Sequence, residues 1–427
     1  MARQMKESGI EWIGEIPADW NIGKVGYFYD IQLGKMLQPT KEFEDDTLEP
    51  YLCAANVGGN RFKLYPTKEM WFNPKEKSKY CVSNGDLLVV EGGDIASCDI
   101  VSECNSNIYI QNALHRVRTK KGNDNRFLKY WLWFVKSVGY IDLICNKATI
   151  AHFSKEKFIS LPYIITAKNE RVIADYLDKK CSEVDAVMLK TKATIEEYKK
   201  LKQSVITESV IKGIRSNRPM RDSENMWYGH IPTDWRICKL KYVFQIKKDI
   251  AGKEGYTVLS ITQRGIRPKD VASNEGQLAD DYSNYQIVNP GDFAMNHMDL
   301  LTGWVDISQY SGVTSPDYRV FTLIDSQKYY AKYYLYLMQM CYSNRIFYGL
   351  GQGVSGMGRW RLQADKFLNF TIPVPSFEEQ KEISDYLDKK CAEIDTLIAK
   401  KKALLEELEA YKKSVIYEYV TGKKEVQ

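Results

Sequence analysis

The sequence is poor in the groups that enzymes use most. Four histidines stand among 427 residues, and His115, His152, His230 and His297 sit in unrelated contexts. No H-E-x-x-H occurs, and no Cys/His cluster has metal-ligand spacing. The absence of a G-x-x-x-x-G-K-S/T loop argues against an ATPase. No strand, glycine-rich turn and helix follow one another as a dinucleotide or S-adenosylmethionine site requires. The Asn-Pro-Pro-aromatic motif of adenine methyltransferases is missing too. The nine cysteines are odd in number and hold no C-x-x-C, so they read as free thiols of a reducing compartment. The N-terminus lacks the apolar core of a signal peptide. No run of about 18 apolar residues could span a bilayer. These absences make the expected location cytoplasmic. Charge of one sign is also scarce. The net charge is +5 and the pI about 8.5, short of the value above ~9 expected of a dedicated nucleic-acid domain. Acidic helices dilute the basic stretches, so local basic patches remain open.

What the chain has is repetition. GEIPADW at Gly14–Trp20 returns as GHIPTDW at Gly229–Trp235, an offset of 215. DYLDKKCSEVD at Asp175–Asp185 returns as DYLDKKCAEID at Asp385–Asp395, an offset of 210. The period exceeds the ~20–50 residues of solenoids and propellers, so it marks a duplicated unit of globular block plus long helix. Short apolar runs at Asp86–Val90, Asn107–Ile110 and Ala113–Val117 read as strands. Arg126–Tyr140 reads as a core helix. Anchors in the second block are Thr257–Gln263 for the run from Tyr51, and Gly291-Asp292 for Gly85-Asp86. Tyr330–Tyr336 is set against Phe127–Trp133 at an offset of 203.

Leu177, Cys181, Val184, Met188, Thr191, Ile195, Tyr198, Lys202 and Val205 alternate spacings of four and three. That is a heptad seam. Leu387, Cys391, Ile394, Ile398, Lys401, Leu405, Leu408, Lys412 and Val415 repeat it in the same register. An isolated seam would face water. The simplest burial is against its twin, antiparallel because the halves are two-fold related. From Ile173 to Ile211 such a helix spans roughly 58 Å. Separate packing of each helix on its own block is the alternative.

The glycine-rich stretch Gly349–Gly358 follows a helix-like run, so it is not a nucleotide loop. Arg359-Trp360-Arg361 comes next. A flexible backbone beside two guanidiniums and an indole can approach phosphates or base edges, and a mobile surface loop is the equal alternative. Asn146–Ile150, with Lys147, takes the corresponding place in the first block. Gln263-Arg264-Gly265-Ile266-Arg267 is matched by Val57-Gly58-Gly59-Asn60-Arg61, which sets Arg267 against Arg61; solvated turn arginines are the alternative. Arg116 is set against Arg319 in apolar runs, where a structural ion pair competes.

Three features together resemble the specificity subunit of type I restriction–modification systems. They are the I-P-x-x-W openings, the late proline run IPVPSFEEQ at Ile372–Gln380, and the twin YLDKKC-x-E-x-D helices. The resemblance covers essentially the whole chain. It implies an α/β (mixed α+β) fold, with two similar target-recognition domains separated by two long antiparallel coiled-coil helices and pseudo-two-fold symmetric. The expected domains are 1–165, with the central helix in 166–215, then 216–376, with the last helix in 377–427. The resemblance implies no catalysis in this chain. It implies double-stranded DNA, two adenine-N6 methyltransferase subunits and restriction subunits as partners. S-adenosylmethionine, Mg2+ and ATP are then needed only by those partners. The expected DNA contacts are Asn56, Arg61, Lys147, Gln263, Arg264, Arg267, Gln352, Arg359 and Arg361. The expected coiled-coil residues are Leu177, Val184, Met188, Ile195, Leu387, Ile394, Ile398 and Leu405. A scaffold that organises partners without reading sequence is the alternative function. One departure is visible: the first module ends LPYIITAKNER at Leu161–Arg171, where Thr166 is the expected helix cap.

Overall fold

Leu87-Leu88-Val89-Val90 is an unbroken apolar run, and it forms a strand buried on both faces. Such a strand needs a cover on each side. Leu87 and Val89 join Val117 in one core, while Leu88 and Val90 join Leu114 in another. The computed structural model describes residues 3–57, 66, 68–102, 104, 107–120, 122–145, 151–166, 169–270, 281–352 and 360–426. The chain divides into two units: Met1–Thr191 with Ala403–Gln427, and Lys192–Lys402.

In the first unit, β1 (Tyr29–Leu33), β2 (Leu87–Val90), β3 (Cys98–Ile100) and β4 (Leu114–Thr119) form an antiparallel sheet ordered β1-β4-β2-β3. Helix α1 (Asn125–Ser137) covers one face and buries Phe127, Trp131, Phe134 and Val135 there. Asp124 caps it, accepting from the Arg126 amide at 2.8 Å. The long helix α2 (Glu170–Lys212) starts against the same core with Ile173, Ala174 and Leu177. The opposite face packs on a three-stranded sheet of Thr47–Leu52, Lys68–Phe72 and Tyr109–Ile110.

The second unit repeats this plan. Here β5 (Phe244–Lys247), a hairpin of β6 (Leu259–Thr262) and β7 (Gly265–Pro268), β8 (Phe293–Met295), β9 (Val305–Ile307) and β10 (Arg319–Leu323) follow in order. The main sheet is β5-β10-β8-β9. Helix α3 (Ala331–Ser343) covers it, and α4 (Phe377–Val420) is the second long helix. The aligned aspartates close the same turn. Asp86 accepts from the Ser83 amide at 2.8 Å, and Asp292 from the Asn289 amide at 2.8 Å.

The seams are buried as their spacing requires. Leu177, Cys181, Val184, Thr191 and Ile195 are buried, and Met188 is half-buried. Leu387, Cys391, Ile394 and Ile398 are buried, and Leu405 is half-buried. Within the first unit the helices run antiparallel: the Tyr176 and Tyr419 rings pack with centroids 4.3 Å apart and Lys412 reaches Asp185 at 2.7 Å. Within the second, Lys202 reaches Asp395 at 2.7 Å and Arg215 reaches Glu382 at 2.8 Å. Each unit's core therefore holds the start of its own helix and the end of the other. Val415, Ile416 and Val420 lie in the first core, Val210 and Ile211 in the second.

The I-P-x-x-W motifs receive those helix ends. Gly422, with φ +72°, lies so close to Pro17 and Trp20 that an added Cβ would meet them at 2.5 and 2.7 Å. Gly213, with φ +75°, lies near Trp235 too: an added Cβ would meet Arg218 at 2.8 Å, Glu379 at 2.9 Å and the indole at 3.2 Å. Left-handed backbone at a helix end is what glycine tolerates best. Arg3 stacks on Trp20 at 5.0 Å and Arg218 on Trp235 at 5.6 Å, so the arginine before each motif is repeated as well.

Several sequence expectations change. The expected helix Arg126–Tyr140 breaks at Gly139, φ +79°, and a short helix resumes at Tyr140–Ile144. The true offset between α1 and α3 is 206, since Asn125–Ser137 corresponds to Ala331–Ser343. Phe127 is therefore matched by Tyr333, and Tyr130 by Tyr336. Both of the latter tyrosines donate to a seam-helix aspartate: Tyr130 to Asp178 at 2.7 Å, Tyr336 to Asp388 at 2.8 Å. Thr166 is not the cap of α2. That helix begins at Glu170, with Asn169 accepting from the Ile173 amide, and the buried Thr166 hydroxyl has no partner among the described residues.

Candidate nucleic-acid interface

The β6–β7 hairpin displays three of the expected contact residues. Ile261 and Ile266 pair across it and face the small core of Leu259, Val288 and Val320. Alternation then places Arg267 on the outer face. Gln263 and Arg264 form the two-residue tip, which Gly265 closes at φ +95°. All three polar side chains are exposed.

Arg361 and Gln352 come from a segment far along the chain. They form an antiparallel backbone bridge, and Gln363 donates to the Gln352 carboxamide at 2.9 Å. Both side chains are exposed. The loop between β8 and β9, Asn296 to Gly303, joins this segment to the hairpin. Gln263 donates to Thr302 O at 3.3 Å, and Arg361 Nε donates to Met298 Sδ at 2.6 Å. The loop is held by its own polar side chains. Asn296 accepts from the Met298 and Asp299 amides, and Asp299 accepts from those of Leu301 and Thr302. Gln263, Arg264, Gln352 and Arg361 are thus gathered around one wall. None of the expected contact residues fell on this loop, although its Asn, Asp and Gly residues between two apolar strands were a visible signal.

In the first unit the counterpart of β6 is different. Ala54–Asn56 is a 3-10 turn, and the Asn56 carboxamide accepts from the Cys53 amide at 3.0 Å, which commits it to local structure. Arg61, Lys147 and Arg359 lie outside the described residues.

The pairing of Arg116 with Arg319 is corrected by the ladders. Arg319 stands opposite Met295. The residue opposite the corresponding Val89 is His115. A slip of one residue sends a side chain to the other face. Arg116 accordingly points away, donating to Lys79 O and Cys81 O at 3.0 and 2.6 Å, at the end of a helix where cations are favoured. His115 and Arg319 meet matched carbonyls. His115 Nε2 lies 2.7 Å from Phe153 O and Arg319 Nη2 donates to Leu362 O at 2.9 Å. The Phe153 amide donates to Glu91 O and the Leu362 amide to His297 O, so Glu91 matches His297 and His152 matches Arg361.

Electrostatics differ sharply at these matched places. Burial lowers the proton affinity of His115. His152 meets Glu91 at 2.9 Å. In the second unit, burial and then Arg319 and Arg361 push His297 down to about 3, so it is neutral at physiological pH. Burial lowers Arg319 to about 10, leaving it charged. Among the described residues no group of three His, Cys, Asp or Glu side chains could hold a metal ion, and no helix is long and apolar enough to cross a membrane.

Residues 232–407 match the family model described as type I restriction modification DNA specificity domain. The type I restriction enzyme MjaVIII specificity subunit of Methanocaldococcus jannaschii is 23% identical over 402 residues, covering 90% of this chain and 88% of that protein. A chain from a structure on complex assembly and conformational transition of the type I R-M system superposes with a TM-score of 0.68 at 12% identity, covering 95% of this chain and 98% of that one. The HsdS subunit from Thermoanaerobacter tengcongensis superposes with a TM-score of 0.53 at 14% identity, covering 98% of this chain and 100% of that one.

Proposed function

We propose, because this chain is homologous to the type I restriction–modification specificity subunits, that each of its two modules reads one half of a two-part DNA sequence. The match of residues 232–407 to the DNA specificity domain model supports the DNA-recognition reading. The observation that carries the two-part reading is the duplication itself. One sheet-and-helix plan occurs twice, while the segments that would face DNA differ, a hairpin in one module and a 3-10 turn in the other. A shared frame with divergent loops suits two readers of unlike half-sites.

On this reading Gln263, Arg264, Arg267, Gln352 and Arg361 contact DNA in the second module, with Arg359 beside them. Asn56, Arg61 and Lys147 belong to the first. Arginine can clasp guanine through two N–H bonds or pair with phosphate, and glutamine can clasp adenine by donating an N–H to N7 and accepting one from N6. The seam helices set the distance between half-sites and dock two methyltransferase subunits. Adenine-N6 methylation and DNA cleavage reside in partner subunits, which bring S-adenosylmethionine, Mg2+ and ATP, and the assembly works in the cytoplasm.

Footprinting of the assembled complex on duplex DNA tests this. Two protected stretches with an open gap are expected, and methylated adenines should fall within them. Uniform protection independent of sequence would favour a scaffold without sequence readout and overturn the proposal.

A further inference from the structure

Three matched positions surround the same backbone hydrogen bond in each module, Phe153 N–H to Glu91 O in the first and Leu362 N–H to His297 O in the second. The first module fills them with Glu91, His152 and His115, the second with His297, Arg361 and Arg319. With the imidazoles neutral, the first set carries −1 and the second +2. Surrounding geometry is otherwise alike. His115 lies edge-on to Phe158 at 5.7 Å, and Arg319 sits over the matching Phe367 ring at 5.0 Å.

Arg319 is only 5% exposed, yet no carboxylate lies within 4 Å of it among the described residues. Its Nη1 has no hydrogen-bond partner there. A buried cation without a counter-charge is costly, and in a poorly polarisable surrounding its field is weakly screened. That field reaches Arg361, whose side chain is 45% exposed. Among the described residues the acid within 4 Å of Arg361 is Asp317 at 3.8 Å, itself 62% exposed, so the pair is weak. Asp299, on the adjoining loop, is engaged by that loop's own amides.

We propose that the second module holds a phosphate group at the exposed guanidinium of Arg361, drawn there by the buried charge of Arg319, and that the first module lacks this subsite. A guanidinium fork suits a phosphate's paired oxygens. Taking the phosphate from a DNA backbone rests on the recognition reading above; free phosphate shares the chemistry. Arg319 is a positioning charge here, and Arg361 makes the contact. The two modules therefore grip DNA unequally, with the second contributing more of the salt-dependent affinity.

The test uses the full chain, a mixed-sequence DNA duplex and inorganic phosphate. Arg361→His and Arg319→His import the residues of the first module. His297→Glu places that module's carboxylate beside both guanidiniums without removing either. In duplex titrations over a range of salt, Arg361→His should lower the slope of log K against log salt by roughly 0.9. His297→Glu should lower it as well, and inorganic phosphate should raise the melting temperature of the wild type more than that of either variant. Far-UV circular dichroism checks that each variant folds; if Arg319→His does not, the other two still decide. Unchanged slopes and unchanged phosphate response in Arg361→His and His297→Glu overturn the subsite while leaving DNA recognition intact. A wild type that responds to phosphate through Arg361 but does not bind duplex overturns the DNA source and the recognition reading, not the subsite.

Discussion

His115 and Arg319 occupy one position in two copies of the same sheet, each offering a ring or fork nitrogen to a matched carbonyl, that of Phe153 in one copy and Leu362 in the other. An imidazole and a guanidinium can trade places there because both are flat donors that pack against an aromatic ring, the imidazole edge-on and the guanidinium over the face. The exchange changes charge without changing the fold, which is how a duplicated module acquires a different surface on an unchanged frame.

The buried Glu170 makes a similar exchange testable. Its carboxylate accepts from Tyr163 Oη at 2.6 Å, Asn123 Nδ2 at 2.8 Å and the Asp124 amide at 2.9 Å. Gln380 stands there in the second module and accepts from the Tyr330 amide at 2.7 Å. Glu170→Gln should therefore be tolerated better than Glu170→Ala. The alanine variant removes the acceptor these donors share and should cost about 1–3 kcal/mol more in urea denaturation. Equal costs for the two variants would refute this role.

Gly422→Ala should destabilise the first unit. The backbone there has φ +72°, and the new Cβ would come within 2.5 Å of Pro17 Cγ. A loss of at least about 1 kcal/mol is expected, read as a lowered melting temperature. Gly9, also at positive φ but with nothing within 4 Å, is the control for conformational strain alone.

The seam should outweigh the ion pairs that flank it. Ile394 is 6% exposed, and Ile394→Asp buries an unpaired carboxylate, so a loss of about 2–5 kcal/mol or failure to assemble is expected. Lys202→Ala removes a pair with Asp395 whose side chains are 31% and 55% exposed. That change should cost no more than about 1 kcal/mol. Denaturant titration of both variants checks the order.

Acid should weaken the second unit through His297. The folded protein holds it near 3 by burial, with Arg319 and Arg361 adding to the effect. An unfolded histidine titrates near ~6.5. The unfolded state therefore binds more protons between those values. The stabilisation is complete above ~6.5 and is lost as pH falls toward about 3. Between pH 7 and 4.5, wild type should lose up to about 3 kcal/mol more than His297→Gln in urea denaturation. Parallel losses in the two proteins would show that His297 is not responsible.

Much of the fold was legible because its signals are local or repeated. The four-three spacing of the seams is written in one helix at a time, and burial at Leu177, Ile195, Leu387 and Ile398 follows it. The Gly85-Asp86 and Gly291-Asp292 turns were equally readable, since the aspartate serves an amide three residues before it. The site was legible only as residue types. Arg264 and Arg267 fall on an exposed hairpin as their turn sequence suggests, but Arg116 was set against Arg319 one residue out of register.

The sequence by itself determined that this chain is a doubled module with two long seam helices, because duplication and periodicity survive without knowledge of distant contacts. Tertiary structure decided the rest. Only the ladders fix that His115, not Arg116, answers to Arg319, since strand register depends on pairing partners some 25 residues away. Only packing brings Gln263 and Arg361 to one loop from 39 and 63 residues away along the chain. And only packing shows that the repeated Trp20 and Trp235 are there to receive the glycine end of a long helix.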